Sequence, residues 1–308
     1  MKKFLCTLLV LSLVALSGAV ALAEEPISLY YFASHLENEF NASLVAAVEA
    51  RAEEKGVELT VVSASNDPAK QVSQIDNAIA TGKIDGAMVQ ACSADGITAG
   101  VMALKDAGIP TITMHEAIND QSMVTSYVGP DLPTIGLIVM EHVCQELNGE
   151  GDIAILVGVL GNSVEAAIEG SYNTILANYP DINVVFQDTA NWMTDEALAK
   201  TENWLSTGKH IDTIVAMNDS MAIGAMQAVN SAGKTGEIKI YGSDATEQAV
   251  AAVKNGEMTG TVFFDVNEEG AAAVDTLIDA INGTEIPTEV LMPPILVTAE
   301  NINEMFPG

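Results

Sequence analysis

Short apolar runs alternate with helix-period segments along nearly the whole chain, and this rhythm constrains the fold more than any other feature of the sequence. Strand-like runs are read at 27–32, 57–64, 86–91 and 110–114, with helical segments at 39–55, at 68–81 and up to Ala107 between them. The runs are continuously apolar instead of alternating, as strands covered by helices on both faces must be, and successive parallel strands need a crossover of this kind. The pattern restarts after the turn Gly129-Pro130-Asp131, with strands at 152–158, 184–189, 213–218, 238–243 and 259–265, each followed by a helical segment. About ten parallel-type strands in two similar halves exceed what one open sheet of usual size holds. The expected fold is therefore α/β, two doubly wound parallel-sheet lobes.

Charge narrows the partners. Among 308 residues, 42 acidic side chains face 12 basic ones, a formal charge of −30 that repels phosphate backbones and anionic headgroups. No nucleic-acid partner is expected. Arg51 is the single arginine of the sequence, so no site can hold an arginine pair. At the amino terminus, Lys2 and Lys3 precede an apolar run from Phe4 to Leu16, and Ala21-Leu22-Ala23 offers a cleavage site before Glu24. Residues 1–23 are read as a cleavable signal peptide, which implies a periplasmic or extracellular protein; Cys6 stands too early for an acylated lipoprotein cysteine. Cys92, at the end of a strand-like run, and Cys144, inside a helical one, are expected to be two buried thiols and not a disulfide.

Ligands of doubly wound sheets bind beyond the carboxyl ends of the strands, so the residues there are the site candidates. The first strand is followed by Asn38, Phe40 and Asn41 and the fourth by His115 and Glu116. In the second half the strand ends offer Asn162, Trp192, Asn218, Asp244, Phe264 and Asp265. Carboxylates accept hydroxyl hydrogens, amides donate and accept, and aromatic faces cover the C–H side of a sugar ring. The set suits a polyhydroxylated ligand. Taken singly, Asn38 and Asn218 also read as helix caps, and Trp192 and Phe264 as core.

Several segments together resemble the periplasmic sugar-binding proteins of the ribose and galactose/glucose-binding type, the soluble receptors of ABC importers. They are Leu36 to Leu44 (LENEFNASL), Ser65 to Gln71 (SNDPAKQ), Ala107 to Thr113 (AGIPTIT), Asp188 to Trp192 (DTANW), Val215 to Gly224 (VAMNDSMAIG) and Tyr241 to Asp244 (YGSD). The resemblance implies a type I periplasmic binding protein whose lobes are joined by a three-strand hinge. Residues 24–130 and 266–292 would form the amino-terminal lobe, and 131–265 and 293–308 the carboxy-terminal one. It implies a monomer that captures a sugar or polyol by hinge closure and delivers it to the membrane subunits of an importer. Asn38 and Phe40 match the family's first-strand contacts, and His115 stands where Asn or Asp is usual. Asn162, Trp192, Asn218 and Asp244 match further contacts. Phe264 replaces an amide on a hinge strand, with Asp265 beside it.

The departures from the family are two. Its arginine clamps are replaced by Ala167 or Ile168 and by Glu116, which makes the site more acidic and argues against an anionic ligand. A neutral polyol, or a cationic amine held by carboxylates and aromatic faces, both remain open, as does a chemosensory role in place of transport. The galactose-binding relative's calcium loop is echoed by Glu146, Asn148, Glu150 and Asp152 with Asp212 as the remote carboxylate, but Ala154 takes a ligand position. Otherwise no cofactor is expected. There is no H-E-x-x-H, P-loop or G-x-S-x-G pattern, and Gly161-Asn162-Ser163-Val164-Glu165 lacks the final glycine of the last, so no enzymatic activity is expected.

Overall fold

The computed structural model describes residues 26–307; the signal peptide expected at 1–23, with Cys6, lies outside the described residues. The first lobe is built from β1 (Ser28–Ala33), α1 (Glu39–Lys55), β2 (Glu58–Ser63), α2 (Pro68–Thr81), β3 (Gly86–Val89), α3 (Thr98–Asp106), β4 (Thr111–Met114) and β5 (Ser126–Pro130). The second begins with α4 (Leu132–Glu146) and continues through β6 (Glu150–Val157), α5 (Ser163–Leu176), β7 (Asp181–Thr189), α6 (Thr194–Ser206) and β8 (Thr213–Ala216). It is completed by α7 (Asp219–Ser231), β9 (Lys239–Tyr241), α8 (Glu247–Lys254) and β10 (Gly260–Phe263). The chain then returns to the first lobe through α9 (Val266–Ile281) and β11 (Glu289–Met292), and ends in the second with β12 (Ile295–Thr298) and α10 (Ile302–Met305).

Each lobe holds a six-stranded sheet, in the orders β11-β5-β4-β3-β1-β2 and β12-β10-β9-β8-β6-β7. The expected α/β architecture of two doubly wound lobes is what the chain adopts. The continuously apolar runs are the inner strands: every residue of β3, β4 and β8 is buried. The strands expected from the sequence pair in parallel, and β12, a further strand, runs antiparallel to β10, with Gly260 opposite Thr298 and Phe263 opposite Ile295. Only Pro293 and Pro294 separate β11 from β12, too few residues for a helical crossover. The chain passes between the sheets after Pro130, after Phe263 and after Met292. Cys92 and Cys144 are both buried and unbonded, as expected.

Helix starts bring side chains to the strand ends. Asn38 caps α1 by accepting from the Asn41 N–H, Asn162 caps α5 through Val164, and Asn218 caps α7 through Met221. The capping residue follows directly on a strand-end turn, so a cap here also stands at the mouth between the lobes. The lobes meet through hydrogen bonds across that mouth. The Ala94 N–H donates to the Gly161 carbonyl at 3.1 Å, the Ala117 N–H to Ser163 Oγ at 2.7 Å, and the Glu247 N–H to Glu39 Oε1 at 2.8 Å. The cleft is closed.

Candidate functional site

A narrow cavity lies between the lobes at the carboxyl ends of both sheets, the place where ligands of doubly wound sheets bind. His35, Asn38, Phe40, Asn41, Gln90, His115 and Glu116 wall it from the first lobe; Val164, Trp192, Met217, Asn218 and Asp244 wall it from the second. Behind the first wall runs a chain of buried hydrogen bonds. Tyr31 donates to Gln90 Oε1 at 2.8 Å, and Gln90 Nε2 donates to Asn41 Oδ1 at 2.9 Å. Asn41 Nδ2 and Asn38 Nδ2 lie 3.0 and 3.1 Å from His35 Nε2, and Ser34 Oγ lies 3.1 Å from His35 Nδ1. Burial lowers the pKa of His35. A wall whose members bond each other before ligand arrives has its groups already oriented.

The second wall is set by close backbone approach. Trp192, 5% exposed, lies across Gly158, where a Cβ would fall 2.0 Å from the indole carbons. Asn191 and Trp192 both have positive φ, 51° and 66°, and His115 and Asp244 share that departure at 60° and 125°. Non-glycine residues held in this region mark sites where surrounding structure over-determines the backbone. The Trp192 indole Nε1 and Glu116 Oε2 are buried and bond to no protein group, one donor and one acceptor.

Two carboxyls, Glu116 and Asp244, line this space, and two more, Asp219 and Glu269, stand beside Asp244 and His115. Glu116, 3% exposed, is pushed up to about 7 by burial, an effect offset in part by His115 and by the Ser34 hydroxyl and Asn162 amide beside it. Asp219, at the start of α7, accepts from Thr261 Oγ1 at 2.7 Å and from the Thr246 N–H at 2.9 Å, yet burial pushes it up to about 7. Asp244, half-buried, is raised well above the usual carboxylate range by burial and by the neighbouring Asp219. Glu269 on α9 is fully buried, 3.4 Å from His115 Nδ1. No lysine or arginine lines the cavity, and Arg51 on α1 is committed to Asp275 and Glu54.

Of the candidates read from strand ends, Asn38, Phe40, Asn41, His115, Glu116, Trp192, Asn218 and Asp244 stand on the cavity wall. Asn162 is buried; its Oδ1 caps α5 and its Nδ2 donates across the cleft to the Ala91 carbonyl at 3.4 Å. Phe264 is core, 1% exposed, with its ring 5.8 Å from those of Phe40 and His115, so it backs the wall without lining it. Asp265 departs furthest: its Oδ1 accepts from the N–H groups of Asn267 and Glu268 as the α9 cap, away from the cavity. His35, which the sequence places just after the first strand, is on the wall as well, and Gln90, Val164, Met217 and the backing Glu269 are additions from the structure. Two residues of the loop compared above with a calcium site are engaged within the protein. Glu146 bonds the Tyr241 hydroxyl at 2.7 Å and Lys239 at 2.9 Å, and Asp212 accepts from the Asp152 N–H at 2.8 Å and pairs with His210. Among the described residues no three acidic, histidine or cysteine side chains group closely enough to hold a metal.

Comparison with known proteins agrees with this layout. The family described as periplasmic binding protein domain matches residues 29–285. The xylitol-binding protein of Mycolicibacterium smegmatis is 36% identical over 82% of this chain and 72% of its own length. An ABC transporter solute-binding protein of Bacillus halodurans C-125, solved with bound myo-inositol, superposes with a TM-score of 0.86 at 32% identity, covering 91% of this chain and 96% of that one. The Caulobacter myo-inositol binding protein, bound to myo-inositol, gives a TM-score of 0.86 at 26% identity over 90% of this chain and 95% of its own.

Proposed function

This chain belongs to the periplasmic binding protein domain family, and from that premise we propose that it captures a small neutral polyol or monosaccharide between its lobes and hands it unchanged to the membrane subunits of an ABC importer. The observation that carries this reading is the composition of the inter-lobe wall. Amides, carboxyls and an indole face one space, with the Trp192 N–H and Glu116 Oε2 unpartnered, and no lysine or arginine joins them. Ligand hydroxyls donate to the carboxyls and accept from the indole, and the faces of Phe40 and Trp192 cover C–H surface. An anion would face Glu116 and Asp244 without a fixed cation of lysine or arginine type. The relatives named above bind xylitol and myo-inositol by their own descriptions, and none of the features that carry the reading is specific to an amine. Export by way of the amino-terminal segment and a monomeric state belong to the same proposal.

Calorimetric titration with xylitol, myo-inositol, ribose and allose, each at low and high ionic strength, tests it. Binding of at least one of them with little dependence on salt is expected, since neutral ligands held by hydrogen bonds are not screened. Tighter binding of a phosphorylated or carboxylated sugar, or of an amine with strong salt dependence, would overturn the reading.

A further inference from the structure

Glu269 is an acidic side chain buried in the core of the first lobe. It is 0% exposed, and neither carboxylate oxygen accepts a hydrogen bond. It stands on the buried face of α9 with Val274 and Leu277, and its one polar approach is to His115 Nδ1 at 3.4 Å, a nitrogen that also has no hydrogen-bond partner. A buried carboxylate without hydrogen bonds persists only with a counter-ion, and His115 is the cationisable side chain beside it. The imidazole is enclosed by aromatic faces, with the Phe40 centroid at 4.4 Å and the Phe264 centroid at 5.8 Å. Such faces favour a cation.

We propose that His115 and Glu269 form a buried imidazolium–carboxylate pair that gives the cavity a charged hydrogen-bond donor, His115 Nε2–H, in a site whose wall holds no lysine or arginine. His115 lines the cavity and Nδ1 is turned to Glu269, so Nε2 is the nitrogen left for ligand oxygen. Glu269 is then a positioning residue that never touches ligand. Two further contacts fix the pair's frame. The Tyr127 hydroxyl donates to the His115 carbonyl at 3.1 Å, and Gly129 leaves room for that hydroxyl, because a Cβ there would fall 2.5 Å from it. The proposal deepens the polyol reading and rests on it for the identity of the ligand.

The groups facing the ring pull in both directions. Burial works against the charge, and Glu269, then Glu116, favour it, leaving the His115 pKa raised. His35 lies close enough to be disfavoured as a second cation, and Tyr31 and Tyr127 are held neutral by burial and by Glu269. Asp244 and its neighbour Asp219 add acidity from the second lobe.

The test begins without ligand. Nitrogen NMR of the 15N-histidine-labelled protein, with the His115→Asn variant to assign the ring, is expected to show His115 as imidazolium at pH 7.5. Glu269→Gln, nearly isosteric, should make it neutral there. Titration with myo-inositol and xylitol should then show Glu269→Gln weakened at least about tenfold at pH 7.5 and substantially restored at pH 5.5, where the ring recharges. A neutral His115 at pH 7.5 in the unaltered protein would overturn the pair. So would a Glu269→Gln variant that loses affinity equally at both pH values with its ring titrating as before, which is the mark of a structural role alone. If neither polyol binds the unaltered protein, the ligand reading falls, while the ring spectrum still decides the pair.

Discussion

Glu116 shows how one buried side chain sets a pH dependence for the whole fold. Its carboxyl is pushed by burial from the ordinary 4.5 up to about 7. A carboxyl whose folded pKa is raised binds a proton in the folded state that the unfolded state has released, so stability falls as pH rises between those two values. The displacement corresponds to about 3 kcal/mol lost by pH 8 relative to pH 4 from this group. His115 acts in the same direction, because its raised pKa contributes stability that is present below the unfolded value and disappears as pH rises through the folded one. Denaturant melts of the ligand-free protein are therefore expected to show greater stability at pH 5 than at pH 8. Glu116→Gln should remove its share of that slope, the remainder staying with Asp219, Asp244 and His115, whose raised pKa values act in the same direction. An equal slope in the variant would place the titration elsewhere, with Asp219 the first alternative since it too is pushed up to about 7.

At the scale of elements, the strand-to-helix turns do the positioning, and their glycines matter through the space they leave. Gly158 follows β6 directly, and a Cβ there would fall 2.0 Å from the Trp192 ring. Gly158→Ala is thus expected to displace the indole and weaken polyol binding about as much as Trp192→Ala, by about 1 to 3 kcal/mol. A shift in tryptophan emission should accompany it. Binding unchanged in both variants would mean that the indole is no part of the ligand wall. These turns were also where the sequence could be read. The limits of α1 and α2 follow from Asn38 and Asp67 as caps and from Gly56 and Gly82 as left-handed stops. Asn38, Trp192 and Asn218 were legible as strand-end residues for the same reason, although whether each faced the cavity or only capped a helix was not. Gln90 was hidden at the tail of an apolar run that reads as strand throughout. Asp265 misled because a residue following a strand can spend its carboxylate entirely on the next helix. Glu269 carried a signal that strand ends do not show: it falls with Gly270, Ala273 and Leu277 on the apolar face of α9, where a carboxylate is out of pattern.

For the whole molecule, and on the proposed function, closure and capture are one equilibrium, since a ligand touching both walls favours the form in which the walls face each other. Small-angle scattering of the ligand-free protein should show a larger radius of gyration than the polyol-saturated protein, and no compaction at saturation would remove hinge closure from the mechanism. Ser163 allows closure to be tested separately from ligand contact. Its Oγ accepts from the Ala117 N–H across the cleft at 2.7 Å, yet Ser163 does not line the cavity. Ser163→Ala removes one bond made in the closed form and leaves the ligand's own partners intact. A bond of this type contributes about 0.5 to 1.5 kcal/mol, so the closed population and the apparent affinity should fall together by roughly two- to tenfold. The loss should be seen chiefly as faster release in stopped-flow measurements, because the cross-cleft bond is made after the ligand has entered. If Ser163→Ala slows association and leaves release unchanged, the contact guides entry and does not hold the lobes shut.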